Sequence, residues 1–351
     1  MDTASTIINN EFGVYTGAEI NFLGEVLKLN TTVRADKNEN FDLNFSPAAS
    51  IVYKPNKNDV LRLSFGSAIR NPTLSDQYLY YNVGRAILIG NLNGHGEKYG
   101  ENLVTIESLY EYFTPAVPAY DSLNFFSVDP IRPEKAKSVE LGYRSTFSNK
   151  VYLDANVYYS EYTDFIGYKI GAKFQADTSN GGFSIALPSI QAYRMAANAQ
   201  NKVTTKGASI GINYYPNSDI SLNGNYSWNS LNEKGTNDPI IPAYNTPEHK
   251  FNLGCLVKNI HFDQQKSFLR DYSFSINYKW VEGFLYEGSP QFTGYIPQYD
   301  IVDLQISKEI IDLGATIKLG STNLFDNQHF EVYGGPYIGR MTYCSILFNI
   351  N

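Results

Sequence analysis

Charge and long apolar runs are both scarce in this chain of 351 residues, in which Asp, Glu, Lys and Arg together reach only 18%. Soluble domains carry about 25%. No stretch approaches the roughly 18 consecutive apolar residues that a transmembrane helix requires, which excludes a helical membrane protein. The mean hydropathy of −0.30 does not exclude a β-barrel, whose lipid-facing residues alternate with polar ones and average away. Basic residues are outnumbered, 28 against 35, for a net charge of −7, so the basic footprint of a nucleic-acid partner is missing. The only two cysteines, Cys255 and Cys344, form neither a close metal pair nor a disulfide framework, and read as small apolar residues. None of the four histidines, His95, His249, His261 and His329, has the spacing of a metalloenzyme motif. No catalytic constellation stands out, and neither a cofactor nor a metal site is expected. The opening MDTASTIINNEFGVY lacks the positive and apolar regions of a signal peptide, so the chain is cytosolic or its export signal lies outside this sequence.

Tyrosine is abundant: 28 residues, in a chain that is 15% aromatic. Length allows two soluble domains at about 150 residues each, but no composition shift divides the chain, and one large β-domain fits as well. Strand signals dominate. Val151, Leu153, Ala155, Val157 and Tyr159 alternate with Tyr152, Asp154, Asn156, Tyr158 and Ser160, which gives one apolar and one polar face. Residues 220–229 and 272–280 repeat the arrangement. Further strands are expected over 12–22, 27–36, 44–54, 60–68, 136–147, 191–215, 250–258, 299–308, 314–324 and 340–350. That makes about thirteen, or fifteen if 165–174 forms a hairpin with an independent strand after it. Most run nine to fourteen residues, against five or six in globular proteins, a length that crosses a bilayer at a tilt.

Connections alternate between short (23–25, 55–59, 148–150, 216–219, 310–313) and long (70–135, 164–190, 230–249, 283–298, 325–339). Short periplasmic turns and long extracellular loops mark outer-membrane barrels. The connection 259–270 breaks the rule, being long yet on the short side. The first and last strands both run towards the periplasm, so closing this sheet on itself would pair them in parallel. Bacterial single-chain barrels are antiparallel with even strand numbers, and further strands upstream are therefore expected.

Three segments carry a resemblance. Residues 46–78 read SPAASIVYKPNKNDVLRLSFGSAIRNPTLSDQY, residues 129–166 read DPIRPEKAKSVELGYRSTFSNKVYLDANVYYSEYTDFI, and residues 321–350 contain Asn323-Leu324-Phe325-Asp326 followed by Gly339-Arg340. In order and spacing these resemble the TonB-dependent outer-membrane receptors of Gram-negative bacteria, particularly Bacteroidetes-like ones. The resemblance implies an all-β fold, an antiparallel transmembrane β-barrel. It would be partial here, with 13–15 of about 22 strands. Residues 1–351 would be the C-terminal portion of the barrel domain, with no plug domain, signal peptide or TonB box. The chain ends Leu347-Phe348-Asn349-Ile350-Asn351 where the family usually ends in an aromatic. It further implies a place in the cell outer membrane. The partners would be lipid, the plug, TonB, a surface lipoprotein and a small nutrient such as a siderophore, haem, a vitamin or an oligosaccharide. Uptake would be driven through TonB, which pulls on the plug, without enzyme activity. A passive porin and a secreted carbohydrate-binding β-protein are the alternatives.

The long loop 70–135 holds the candidate ligand-binding residues Tyr78, Tyr80, Tyr81, His95, Tyr99, Tyr110, Tyr112 and Phe113. Tyrosine supplies stiff contact area with a polar tip, which suits the wall of an extracellular cavity; the same rings could instead pack against one another and the barrel rim. His95 could ligate haem or a metal chelate or be simply solvated, and Asn93-Gly94 followed by Gly96 reads as turn chemistry. Tyr53, Tyr214, Tyr226, Trp228, Tyr278 and Trp280 read as interfacial girdle residues. Arg34, Arg62, Glu140, Arg144, Asp154, Lys258, Asp303 and Lys318 read as lumen-facing, where they would grip the plug.

Overall fold

The computed structural model describes residues 6–348 except 85, 115–119, 178–183, 186, 234–243, 264–266 and 289–292. The last residues of the expected strand 340–350 and part of the loop 230–249 thus lie outside the described residues. Thirteen strands form one sheet: β1 (Glu11–Phe22), β2 (Leu27–Asn38), β3 (Asn44–Tyr53), β4 (Asp59–Arg70), β5 (Glu134–Phe147), β6 (Val151–Thr163), β7 (Val203–Tyr214), β8 (Ile220–Glu233), β9 (His249–Ile260), β10 (Tyr272–Val281), β11 (Tyr299–Ile310), β12 (Ala315–Thr322) and β13 (Met341–Phe348). Their order in the sheet is their order in the chain, and every pairing between them is antiparallel. The sheet is open. Among the described residues neither β1 nor β13 pairs along its outer edge, and the two strands run in the same direction.

Directly opposed residues share a face of an antiparallel sheet, so the register carries one face across all thirteen strands. Arg34 opposes Ser46, Val52 opposes Arg62, Ser64 opposes Glu140, and Arg144 opposes Asp154. Farther along, Asn277 opposes Asp303 and Ser307 opposes Lys318. The expected lumen charges Arg34, Arg62, Glu140, Arg144, Asp154, Asp303 and Lys318 therefore share one face. Arg62 pairs there with Glu140, and Arg144 with Asp154 at 2.8 Å. The opposite face carries Phe12, Leu63, Leu141, Val157, Ile212 and Leu253, all exposed. A soluble monomer rarely leaves so continuous an apolar surface uncovered. All six expected girdle aromatics lie on this apolar face, Tyr53 and Tyr214 at the ends near the short turns, and Tyr226, Trp228 and Trp280 towards the long loops.

Turn chemistry pins the short ends. Ser148 and Asn149 both take positive φ, 50° and 53°, and Lys150 N donates to the Phe147 carbonyl at 2.9 Å. This is the mirror-image turn whose twist suits a hairpin.

The buried apolar core lies in the loops at the opposite end. There a second, five-stranded sheet runs in the order Tyr80–Asn82, Ala86–Ile89, Gln191–Asn198, Ile166–Lys173, Leu103–Val104. It corrects two expectations. The span 191–215 is two strands, one in each sheet, joined through residues 199–202, and Ile166–Lys173 pairs within the loops and not within the barrel sheet. One face of this loop sheet packs Ile87, Ile89, Leu103, Val128 and Met195 together. The other is covered at one end by the helix α2 (Ile106–Phe113), whose Leu109 and Tyr112 meet Val104, Ala172 and Phe174. At the barrel end Phe41 and Ile131 close over Ile166 and Ala196. A shorter helix, α1 (Leu74–Tyr78), opens the loop with a capping box between Thr73 and Asp76.

Candidate functional site

The three segments that carry the resemblance meet the barrel at the loop-bearing rim, where their polar residues tie loops to strands. Glu134 is buried; its Oε2 accepts from Arg70 Nη2 at 2.9 Å and from the Ile166 backbone N–H at 3.0 Å. One carboxylate thus joins the end of β4, the start of β5 and the loop sheet. In the last hairpin the Asn323 N–H donates to Asp303 at 2.9 Å, and the Asn323 side chain both accepts from and donates to the backbone of Asn327. Asp326 Oδ1 accepts from the Arg340 N–H at 2.7 Å. A Cβ on Gly339 would stand 2.5 Å from Gln328 Nε2 and 2.8 Å from that same carboxylate oxygen, so a larger residue would have to displace Gln328 and the Asp326 carboxylate that holds the Arg340 N–H. These motif residues act as clamps.

The loop residues singled out as ligand candidates divide by environment. Tyr80, Tyr81, Tyr110 and Phe113 are exposed, whereas Tyr112 is only 3% exposed and belongs to the core under α2. Tyr78 is half-buried and its hydroxyl accepts from Asn40 Nδ2 at 2.7 Å. Tyr99 donates to Asp129 at 3.0 Å, beside Lys98, whose ammonium reaches the same carboxylate at 2.7 Å. His95 is held on both ring nitrogens, Nε2 against the Gly90 carbonyl at 3.0 Å and Nδ1 against Glu101 at 3.3 Å. Its glycine neighbours take the turn geometry expected of them, with φ of 86° at Gly94 and 104° at Gly96.

Glu101 organises this corner. Burial pushes its carboxyl up, but the Lys173 ammonium at 2.6 Å and the Gly96 N–H at 3.0 Å outweigh that and hold it below the ordinary carboxylate range. Among the described residues no group of three or more His, Cys, Asp or Glu is placed to hold a metal ion.

A cavity of about 450 Å³ lies at the same rim, lined among others by Asn229, Tyr244, Glu248, Glu282, Phe284 and Tyr295. That volume falls within the range of small-molecule sites. Asn229 accepts from the Tyr158 hydroxyl at 2.8 Å on the polar face of the sheet. Glu248 accepts from Trp228 Nε1 at 3.1 Å, and Glu282 from the His249 N–H at 3.0 Å. Burial, with help from Tyr158, pushes the Tyr244 phenol well above its ordinary pKa.

Sequence reasoning missed Glu101, Glu134, Lys173 and Arg194. The first three are single charges that acquire partners 32 to 72 residues away. Arg194 lies in the span read as one long barrel strand.

The family described as TonB dependent receptor-like, beta-barrel, matches residues 2–324. No curated sequence relative matches the chain. Among solved structures, the siderophore receptor PirA from Acinetobacter baumannii is similar with a TM-score of 0.62 at 13% identity, over 96% of this chain and 45% of that one. A copper transporter, OprC, gives 0.61 at 13% identity, over 96% and 47%. The FrpB iron transporter from Neisseria meningitidis gives 0.60 at 12%, over 96% and 45%. At such identities the likeness is one of fold, and the chain spans a little under half the length of each.

Proposed function

The chain belongs to the TonB-dependent receptor-like β-barrel family, and from that premise we propose that it forms the ligand-capturing barrel wall and loops of an outer-membrane nutrient receptor. The observation that supports this most is the division of the thirteen-stranded sheet into one exposed apolar face and one charged face. The apolar face meets lipid. The charged face, on which Arg62 pairs with Glu140 and Arg144 with Asp154 within the sheet, lines the passage and holds a plug through further polar contacts.

In this reading a scarce nutrient is taken from the medium by the loops and the mouth cavity, then released inward when TonB draws on the plug. The chain's own part is binding and passage, with no bond made or broken. Neighbours of this fold are a siderophore receptor, a copper transporter and an iron transporter, and ligands of those classes are the first to test here. The experiment is uptake of labelled ferric siderophore, copper and cobalamin by cells with and without the gene. Gene-dependent uptake abolished by a protonophore or by loss of TonB supports the reading. Gene-dependent uptake that survives both would make the protein a passive channel.

A further inference from the structure

The loop sheet is covered on one face along its length and on the other only at its two ends. Between α2 at one end and the Phe41–Ile131 contact at the other, no element among the described residues packs across the middle of that face, where Leu88 and Arg194 are half-buried. Register places Tyr81, Leu88, Arg194 and Ile170 there in one row, because Tyr81 opposes Leu88, Leu88 opposes Arg194, and Arg194 opposes Ile170. Tyr168 lies on the same face, two residues from Ile170, with its ring 3.4 Å from the Arg194 guanidinium carbon. Tyr81, Tyr168 and Ile170 are exposed at 60%, 43% and 48%.

Arg194 is the unusual member. It is half-buried and forms no ion pair with a carboxylate within 4 Å among the described residues. The nearby Asp76 is engaged elsewhere, its Oδ2 accepting from the Thr73 N–H at 2.9 Å and the Thr73 hydroxyl at 2.8 Å. A guanidinium presents a rigid fork of donors suited to a carboxylate or phosphate. Tyr168 engages it with both its ring and its hydroxyl, and among the described residues no carboxylate or carbonyl takes its remaining edge donors, which a ligand could use.

We propose that this bare strip is a binding groove for a small ligand that joins an anionic oxygen group, carboxylate or phosphate, to a flat apolar ring. The anion meets the edge of Arg194, and the ring lies along Ile170, Leu88 and Tyr81. The proposal rests on the receptor reading above, whose ligand chemistry it narrows.

The probe is 6-fluoro-2-naphthoate, titrated by ¹⁹F line broadening against the full chain in native outer-membrane vesicles, with the neutral 6-fluoro-2-naphthamide beside it. The naphthoate is expected to bind at least about tenfold more tightly than the amide, and Arg194→Gln to remove that preference, since a charge-assisted hydrogen-bond pair is worth at least about that factor. Inorganic phosphate should displace the naphthoate if the anion alone is read; a naphthoate that still requires Arg194 yet resists displacement by phosphate assigns the site to ring-bearing anions. Ile170→Glu, an exposed change that leaves the core intact, should also abolish naphthoate binding by placing a carboxylate beside the guanidinium. Equal naphthoate binding by the unaltered chain and both variants overturns the proposal. If uptake remains TonB-dependent in that case, the receptor reading stands without it, whereas absence of the chain from the outer membrane overturns both.

Discussion

Replacing Glu134 by alanine should loosen the loop sheet from the barrel by an amount that follows from its two partners. The Ile166 N–H would be left buried without an acceptor, at a cost of about 1–3 kcal/mol. The Arg70 side chain is 57% exposed, so loss of that ion pair adds only about 0–1 kcal/mol. The sum, about 2 kcal/mol, should raise the local opening constant roughly 30-fold. Amide hydrogen exchange followed by mass spectrometry would read this in Ile166–Lys173 and its partner strand Gln191–Asn198, with the barrel strands β8 to β10 unchanged. Arg70→Ala should raise exchange by no more than about fivefold, and Glu134→Gln, which keeps an acceptor for Ile166, should fall between. Equal effects of Glu134→Ala and Arg70→Ala, or no effect of either in Ile166–Lys173, would refute the idea that one buried carboxylate joins the two sheets.

Gly339→Ala places a Cβ 2.5 Å from Gln328 Nε2 and 2.8 Å from Asp326 Oδ1 and should destabilise the β12–β13 hairpin by about 1 kcal/mol, the cost of displacing the Asp326 bond to the Arg340 N–H, read as a lower temperature for the gel-mobility shift of the folded form. Leu141→Arg, on the apolar face near mid-strand, should cost about 2–4 kcal/mol in a bilayer and reduce recovery in outer membranes, whereas Ser138→Arg on the polar face should assemble normally. The Glu101 carboxyl is held below its ordinary value in the folded state. Its contribution is therefore complete above the ordinary carboxylate range and is lost as pH falls through the depressed folded value. Exchange protection around residues 95–103 should accordingly persist through mildly acidic pH and drop below it, and Glu101→Gln should remove that pH-dependent part.

The barrel strands were legible because each presents one apolar and one polar face, neither covered by the rest of the chain over most of its length, and the sequence alternates with a two-residue period, as in Val151–Thr163. The loop sheet was not. In Gln191–Asn198 the consecutive residues Met195, Ala196 and Ala197 are all buried although they alternate between faces, so the strand shows no clean alternation. Its parallel partner Ala86–Ile89 lies about 100 residues away, beyond any local pattern. Tyr110 and Tyr112 look equivalent in sequence, yet on α2 they fall on opposite faces, one exposed and one in the core. That distinction needs the helix, which a segment without a long apolar period does not announce. The motif residues Glu134, Asn323 and Gly339 could be noticed in sequence, but their role as clamps depends on partners that only the fold supplies.

The central claim, that the sheet is a membrane wall with lipid on one face, is tested most directly by tryptophan scanning along β5. With Trp228 and Trp280 replaced by phenylalanine, single substitutions Ser138→Trp, Val139→Trp, Glu140→Trp and Leu141→Trp would be placed in vesicles of chain-brominated phospholipid. Strong quenching at 139 and 141 with little at 138 and 140 is the result expected of register and face. Uniform quenching, or none at any of the four, would contradict it.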